Sequence, residues 1–274
     1  PLVSRSGREK VDTSSLHVRG GEFVGSEVED LMDTDARVRA AVREIVELTA
    51  DRNACLIFSA GVRHGEHIVR SFREEHGIEC GFVTGNTSAR DRDRLIARFR
   101  GEHTDGLFSD PPLKYLCNVN VLTVGFDAPH IDCIAMLRPT LSPGLFYQMV
   151  GRGFRIHPSK TECLVLDFAG NVLRHGPVDA ISIGDRPKGG QGEAPAKECP
   201  SCAALIHAGY SVCPQCGHEF PKPEAKHESR ASDAAVLSQD VKPVDEERTV
   251  TEIRYSVHQK RDAPEDHPRT LRIE

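Results

Sequence analysis

Short apolar runs that alternate with amphipathic helical patterns constrain this chain more than any other feature. Ala54 to Phe58, Gly81 to Val83, Tyr115 to Val124, Ile131 to Leu137 and Cys163 to Phe168 read as strands. Three helical patterns precede or separate them. One starts with Thr34 or Asp35 as N-cap and puts Val38, Val42, Ile45 and Val46 on its apolar face. The second runs from His64 to Glu75 with Ile68 and Phe72 inward, and the third from Ser88 to Arg100 with Leu95, Ile96 and Phe99 inward. Strands that are apolar throughout are buried on both faces, so the alternation predicts a parallel sheet with helices on either side. The predicted unit is one α/β domain over residues 36–178.

The flanking segments differ in character. Residues 1–35 are polar, contain glycine and turn acidic towards Glu22, Glu27, Glu29, Asp30 and Asp33, which predicts a lead-in linker with little regular structure. Pro1 is not an initiator methionine, so a processed chain or a fragment is expected, its first 35 residues leading from a missing first lobe. Residues 179–197 contain a glycine- and proline-rich linker between Gly184 and Pro195, and residues 222–248 read as a flexible polar tract. Within 249–274, Thr249 to Val257 and Thr270 to Ile273 have strand character and read as the start of a small C-terminal domain. The net charge of −6 argues against a wholly basic nucleic-acid binder, so any such contact must be local. No apolar run reaches the length of a membrane span. With no tryptophan and 5% aromatic residues, a broad base-stacking platform is not expected.

The nine cysteines divide by spacing. Cys55, Cys80, Cys117, Cys133 and Cys163 lie in apolar stretches, where a free cysteine behaves as a small hydrophobe. Cys199-Pro-Ser-Cys202 and Cys213-Pro-Gln-Cys216 are two knuckles ten residues apart, predicted as residues 198–221 of a zinc ribbon. Four thiolates make a closed, structural zinc site with no open position for catalysis, against redox-active pairs as the alternative. His207 and His218 could substitute, but four cysteines already complete the shell. An odd total with this split fits a reducing, cytoplasmic setting.

Phe146 to Arg155 stands apart from the other helical patterns. Gly151 and Gly153 interrupt a helix-compatible run, each at about 1 kcal/mol against alanine. Arg152 and Arg155 are three apart, which on a helix puts both guanidinium groups on one face. From Cys133 to Thr161 there is no acidic residue, while Arg138, Arg152, Arg155 and Lys160 are basic. Two unquenched cationic forks suit a triphosphate or a nucleic-acid backbone. The alternative is a solvated basic face. The same choice applies to Arg90, Arg92, Arg94, Arg98 and Arg100 of the third helix, where a solvated face is the usual meaning and a backbone contact is the other.

Together, Thr123-Val-Gly125-Phe-Asp127 and the Gln148, Gly151, Arg152, Arg155 set resemble motifs V and VI of superfamily 2 helicases, in the right order and at the right spacing. The likeness is nearest to RadD-type DNA repair helicases and their phage-borne relatives. It implies a RecA-like domain and the carboxy-terminal motor half of an ATP-dependent DNA helicase or translocase in repair or recombination. In that resemblance Arg155 is the arginine finger, Arg152 its neighbour on the phosphate side, and Gln148 orients both. Gly125, Asp127 and Gly151 lie against the nucleotide; Asp127 has the alternative role of a cap before Pro129. Thr123, with Ser59 and Thr84 after the first two strands, contacts DNA, single-stranded or branched. The loop from Glu102 to Pro112 is longer than the family pattern.

No Gly-x-x-x-x-Gly-Lys-Ser/Thr and no Asp-Glu-x-His or Asp-Glu-Ala-Asp box occurs. On these residues alone the chain is not expected to hydrolyse ATP. ATP and magnesium are expected to be shared with a first RecA-like lobe, and single-strand-binding or recombination proteins are possible partners. Two other readings stay open: a non-enzymatic DNA-binding or adaptor protein built on a helicase-like scaffold, and a restriction-type translocase subunit.

Overall fold

The computed structural model describes residues 2–102, 110–121, 128–177, 196–221, 252–258 and 270–273. The chain divides into two units, residues 1–222 and 223–274. In the first, six parallel strands form one sheet: β1 (Leu2–Ser6), β4 (Cys55–Phe58), β5 (Cys80–Val83), β6 (Tyr115–Asn118), β7 (Cys133–Met136) and β8 (Cys163–Asp167), in the order β1-β8-β7-β4-β6-β5. Ile57 lies level with Cys117 on one side and Ala135 on the other, and Leu2 lies level with Cys163. The parallel α/β expectation therefore holds.

Successive side chains of a strand point to opposite faces, which builds two cores. Cys55, Ile57, Cys117, Ala135 and Leu166 pack under α2 (Asp35–Leu48) and α3 (Val62–His76) through Val38, Val42, Ile45, Ile68 and Phe72. Leu56, Phe58, Leu116, Ile134, Met136 and Val165 pack under α4 (Ala89–Phe99), α5 (Pro143–Gly151) and α6 (Asn171–His175) through Phe99, Phe146, Met149, Val150 and Val172. Each such side chain, fully buried, contributes roughly 1.5–3 kcal/mol. The helix starts follow the sequence signals: the Thr34 hydroxyl accepts from Arg37 N at 3.4 Å and that of Ser88 from Asp91 N at 3.1 Å.

Residues 1–35 correct the expectation of a loosely structured linker. β1 joins the sheet beside β8, β2 (Val18–Arg19) and β3 (Glu22–Phe23) form a hairpin, and α1 (Gly25–Met32) buries Val28 and Met32. Its acidic residues are caps and ion-pair partners. Glu29 accepts from His64 N at the start of α3 (3.1 Å), Arg63 reaches both Asp30 and Asp33, and Glu22 reaches the start of α5. An edge strand has one neighbour, so Leu-Val-Ser-Arg-Ser needs no continuous apolar run.

The ribbon segment consists of β9 (Ala196–Glu198) paired antiparallel with β10 (Leu205–His207), followed by the second knuckle. It lies against β1: Leu205 is buried with Leu2, Cys163 and Val165 in the second core. The ribbon is therefore packed on the sheet and does not stand apart from it. The predicted linker between Gly184 and Pro195, the tract at 222–248 and most of the loop at 102–112 lie outside the described residues. In the second unit, β11 (Tyr255–His258) pairs antiparallel with β12 (Thr270–Ile273); the first of these begins at Tyr255, with the described residues 252–254 of the expected strand outside it.

Candidate functional site

The stretch from Phe146 to Arg155 is positioned at both ends by contacts distant in sequence. At its start the Ser142 hydroxyl accepts from Leu145 N at 3.2 Å, with Pro143 in the first turn, a standard helix opening. Glu22 adds a second anchor, accepting from Leu141 N (2.8 Å), Ser142 N (3.3 Å) and the Thr140 hydroxyl. Burial raises the Glu22 pKa, but these hydrogen bonds outweigh it and leave the carboxyl below its usual value. Glu22 is thus ionised at the amino end of α5, where the helix dipole favours negative charge.

At its far end α5 stops at Gly151, and Gly153 N turns back to Val150 O at 2.9 Å. Arg152 caps the helix and Arg155 lies beyond it, which corrects the expectation that the two share one helical face. Gly153 explains the break. A Cβ there would lie 2.3 Å from Cys163 Sγ and 3.1 Å from Ile134 Cδ1, so the backbone passes directly over β7 and β8. Lys160 fixes the loop from the other side, donating to Gly153 O at 2.9 Å and Ile131 O at 2.7 Å. Of the four basic residues read together in sequence, Lys160 is therefore spent on the fold. Arg138 lies at the opposite end of β7, bonded to Asn120. That leaves Arg152 and Arg155, on either side of the Gly153 turn.

Arg152 is half-buried, and desolvation lowers its pKa; a guanidinium stays charged all the same. Arg155 is exposed, in a cleft of about 370 Å³ lined also by Leu2, Phe154, Ile156 and Lys160. Gln148 is exposed on α5 four residues before Arg152, on the same face. Gly151 has nothing within 4 Å of an added Cβ.

The sequence-predicted nucleic-acid residues lie elsewhere. Ser59 follows β4 and Thr84 follows β5, at the carboxyl edge of the sheet, whereas Gly153 packs at the amino end of β8. Ser59 is buried and its hydroxyl donates to Asn118 O at 3.1 Å. Thr84 is also buried and organises the turn before α4, its Oγ1 accepting from Asn86 N at 3.2 Å. Both hydroxyls thus shape their loops and are turned away from solvent. Beside that turn, Arg90 and Arg92 carry no ion pair among the described residues, while Arg94, Arg98 and Arg100 pair with Asp110, Glu79 and Glu102. Sequence reasoning did not separate these two groups, because the partners of Arg94 and Arg98 lie outside the helix, sixteen and nineteen residues away. Thr123, Gly125 and Asp127 lie outside the described residues.

Cys199, Cys202, Cys213 and Cys216 converge with all four sulfurs within 4.8 Å of one another. Two sulfur–sulfur distances are 3.6 Å (Cys199–Cys216) and 3.8 Å (Cys202–Cys213). A tetrahedron with metal–sulfur bonds of about 2.3 Å has edges of about 3.8 Å, so the cluster fits zinc. Desolvation and the neighbouring sulfurs push the Cys202 thiol up to about 12. A divalent cation inverts that effect and deprotonates the thiols. His207 stays outside the cluster, with Nδ1 accepting from Gly209 N at 3.1 Å, and His218 packs edge-on to Phe220.

Residues 37–157 match the model of the helicase conserved C-terminal domain. A 51.5 kDa protein of a Lactococcus phage is 28% identical over 225 residues, 80% of this chain and 47% of that protein. A protein named as a mitochondrial ATP-dependent helicase, irc3, of Schizosaccharomyces pombe is 35% identical over 150 residues, 53% of this chain and 23% of that one. The chain thus spans about half of the phage relative and about a quarter of the yeast protein. Among solved structures, a fragment described as an HsdR subunit of a type I restriction enzyme from Vibrio vulnificus has a TM-score of 0.45 and 19% identity, covering 62% of this chain and 32% of that one. That likeness is too partial to add to the fold described above. The residues that match this model, 37–157, include α5 and the arginines after it.

Proposed function

We propose that this chain is the carboxy-terminal motor half of an ATP-dependent DNA helicase or translocase acting in repair or recombination. The observation that carries the reading is the exposed Arg155, which follows the Gly153 turn after α5 within the matched region. In this reading ATP and magnesium are bound mainly by a first RecA-like lobe. Arg155 reaches the γ-phosphate from the second lobe, and its guanidinium stabilises the charge that develops on the transferred phosphoryl group. Arg152 contacts the phosphates from the same side, and Gln148 orients the pair. Glu22 holds the start of the helix, and Gly153 and Lys160 hold its end, so the finger is presented by a fixed backbone.

Nucleic acid runs along the other edge of the sheet in this proposal, over the loops after β4 and β5, with Arg90 and Arg92 available to phosphates. Contacts of that kind position a strand without reading its sequence. The chain alone is expected to bind single-stranded DNA weakly, with affinity falling steeply as salt rises. Fluorescence anisotropy across a salt series checks this, and a flat salt response contradicts it. Arg90→Ala combined with Arg92→Ala should lower both the affinity and the salt slope.

The four cysteines are proposed to hold one structural zinc. Metal analysis should find one zinc per chain, released when the thiols are modified. A folded ribbon without metal sinks this assignment. Cys213→Ser should abolish stoichiometric zinc binding, since metal binding supplies most of the folding energy of so small a segment.

A further inference from the structure

The ribbon's first knuckle and the lobe's edge strand hold each other. β1 has one partner in the sheet, β8, and its free edge faces the ribbon. Ser6 N donates to Ala203 O at 3.0 Å, and Arg5 forms an antiparallel bridge with Ala204. Leu205 inserts its side chain into the lobe's second core, and Lys10 pairs with Glu198.

Ala203 follows Cys202 directly and has φ 56°, a left-handed conformation that costs energy for any residue with a Cβ. Gly217 takes the corresponding place after Cys216, with φ 75°. Ala203 is kept in that state by the knuckle's own bonds, Ala203 N to Cys199 O at 2.9 Å and Cys199 N to Ala204 O at 2.8 Å. Around them the ribbon's core is small: Cys199, Ala204, Ile206 and Cys213, with Cys202 and Phe220 partly buried. Three of those six residues belong to the cysteine cluster, so without a metal little remains to hold the knuckle. The acceptor offered to Ser6 exists only while the knuckle keeps its shape.

We propose that the four-cysteine site is a latch for the edge of the sheet. Metal held by the four sulfurs keeps Ala203 and Ala204 in the geometry that clamps β1 onto β8, and metal loss releases β1 together with the ribbon. The consequence reaches the arginine loop: Gly153 packs on Cys163 of β8, and Leu2 of β1 lines the cleft that holds Phe154 and Arg155. The latch rests on the zinc assignment and is independent of the role given to Arg155.

Hydrogen exchange of the full chain, read by mass spectrometry with zinc content measured in parallel, tests this. Chelation should speed exchange of peptides covering residues 2–7 and 196–221 by about tenfold or more, while β4, β6 and β7 keep their protection. Added zinc should restore the original pattern. Cys216→Ser, at an exposed position, should reproduce the chelated pattern without chelator. Exchange that rises only in 196–221 while zinc is lost overturns the latch and leaves the zinc site intact. Loss of protection in the central strands also overturns it, because the metal would then hold the whole core. A chain that binds no zinc, with residues 2–7 protected throughout, overturns the zinc assignment and the latch together.

Discussion

In the full-length protein, with a first lobe present, Arg155→Ala is expected to slow ATP hydrolysis by roughly two or more orders of magnitude. The Michaelis constant should change much less if, as proposed, the first lobe makes the main phosphate contacts and the guanidinium acts on charge that appears only in the transition state. Arg155→Lys should recover little, since an ammonium is a flexible point charge without the planar fork. DNA binding without nucleotide should survive both changes, because the loops after β4 and β5, with Arg90 and Arg92, lie at or beside the other edge of the sheet. Steady-state hydrolysis and anisotropy on the same preparations decide the matter. Persistent hydrolysis with collapsed DNA binding would place Arg155 on the nucleic-acid path and end the motor reading of this loop.

Gly153→Ala is expected to produce the largest effect on stability for the smallest chemical change. Its Cβ would meet Cys163 Sγ at 2.3 Å and Cys163 Cβ at 3.2 Å, and a buried strand cannot retreat cheaply. Overpacking of this kind costs about 1–3 kcal/mol. For a unit of this size each kcal/mol lowers Tm by about 2–4 °C, so calorimetry should resolve the change. Hydrolysis by the full-length protein should fall as well, because the added methyl lifts Phe154 and Arg155 off β8. Gly151→Ala is the control: two residues earlier and inside α5, its Cβ meets nothing within 4 Å. That variant should be as stable as the parent or up to about 1 kcal/mol more so. Equal stability of the two variants would show that the turn does not pack on β8 in the way described.

Residues read as one feature in sequence proved to serve different ends. The acid-free stretch holds four basic residues, yet Lys160 closes a loop through two carbonyls and Arg138 bonds Asn120 at the far edge. Proximity in sequence did not distinguish them, because a strand of only four residues already separates its two ends. The acidic residues from Glu22 to Asp33 read as part of a lead-in with little regular structure, yet Glu22 and Glu29 cap helices that begin far away in the chain. A carboxylate that caps its own helix leaves a local signature, whereas one that caps a distant helix leaves none.

What the sequence determined by itself is whatever depends on neighbours within one or two turns of chain. The apolar runs at β4, β7 and β8, the helix faces of α2 and α3, the Thr34 and Ser88 caps and the Cys-Pro-x-Cys spacing are all of that kind. They were enough to predict the parallel sheet, helices α2 to α4 and the convergence of four sulfurs. Tertiary structure alone decided that Leu2–Ser6 is a strand, that α5 ends at Gly151 with Arg155 beyond it, and that the ribbon packs on β1. Each of these depends on a group over a hundred residues away or on a strand lying across the site: Asp167 level with Ser6, Cys163 beneath Gly153, Ala203 bonded to Ser6. An edge strand, a glycine under a crossing backbone and a docked knuckle are all set by such long-range contacts, and local periodicity carries no trace of them.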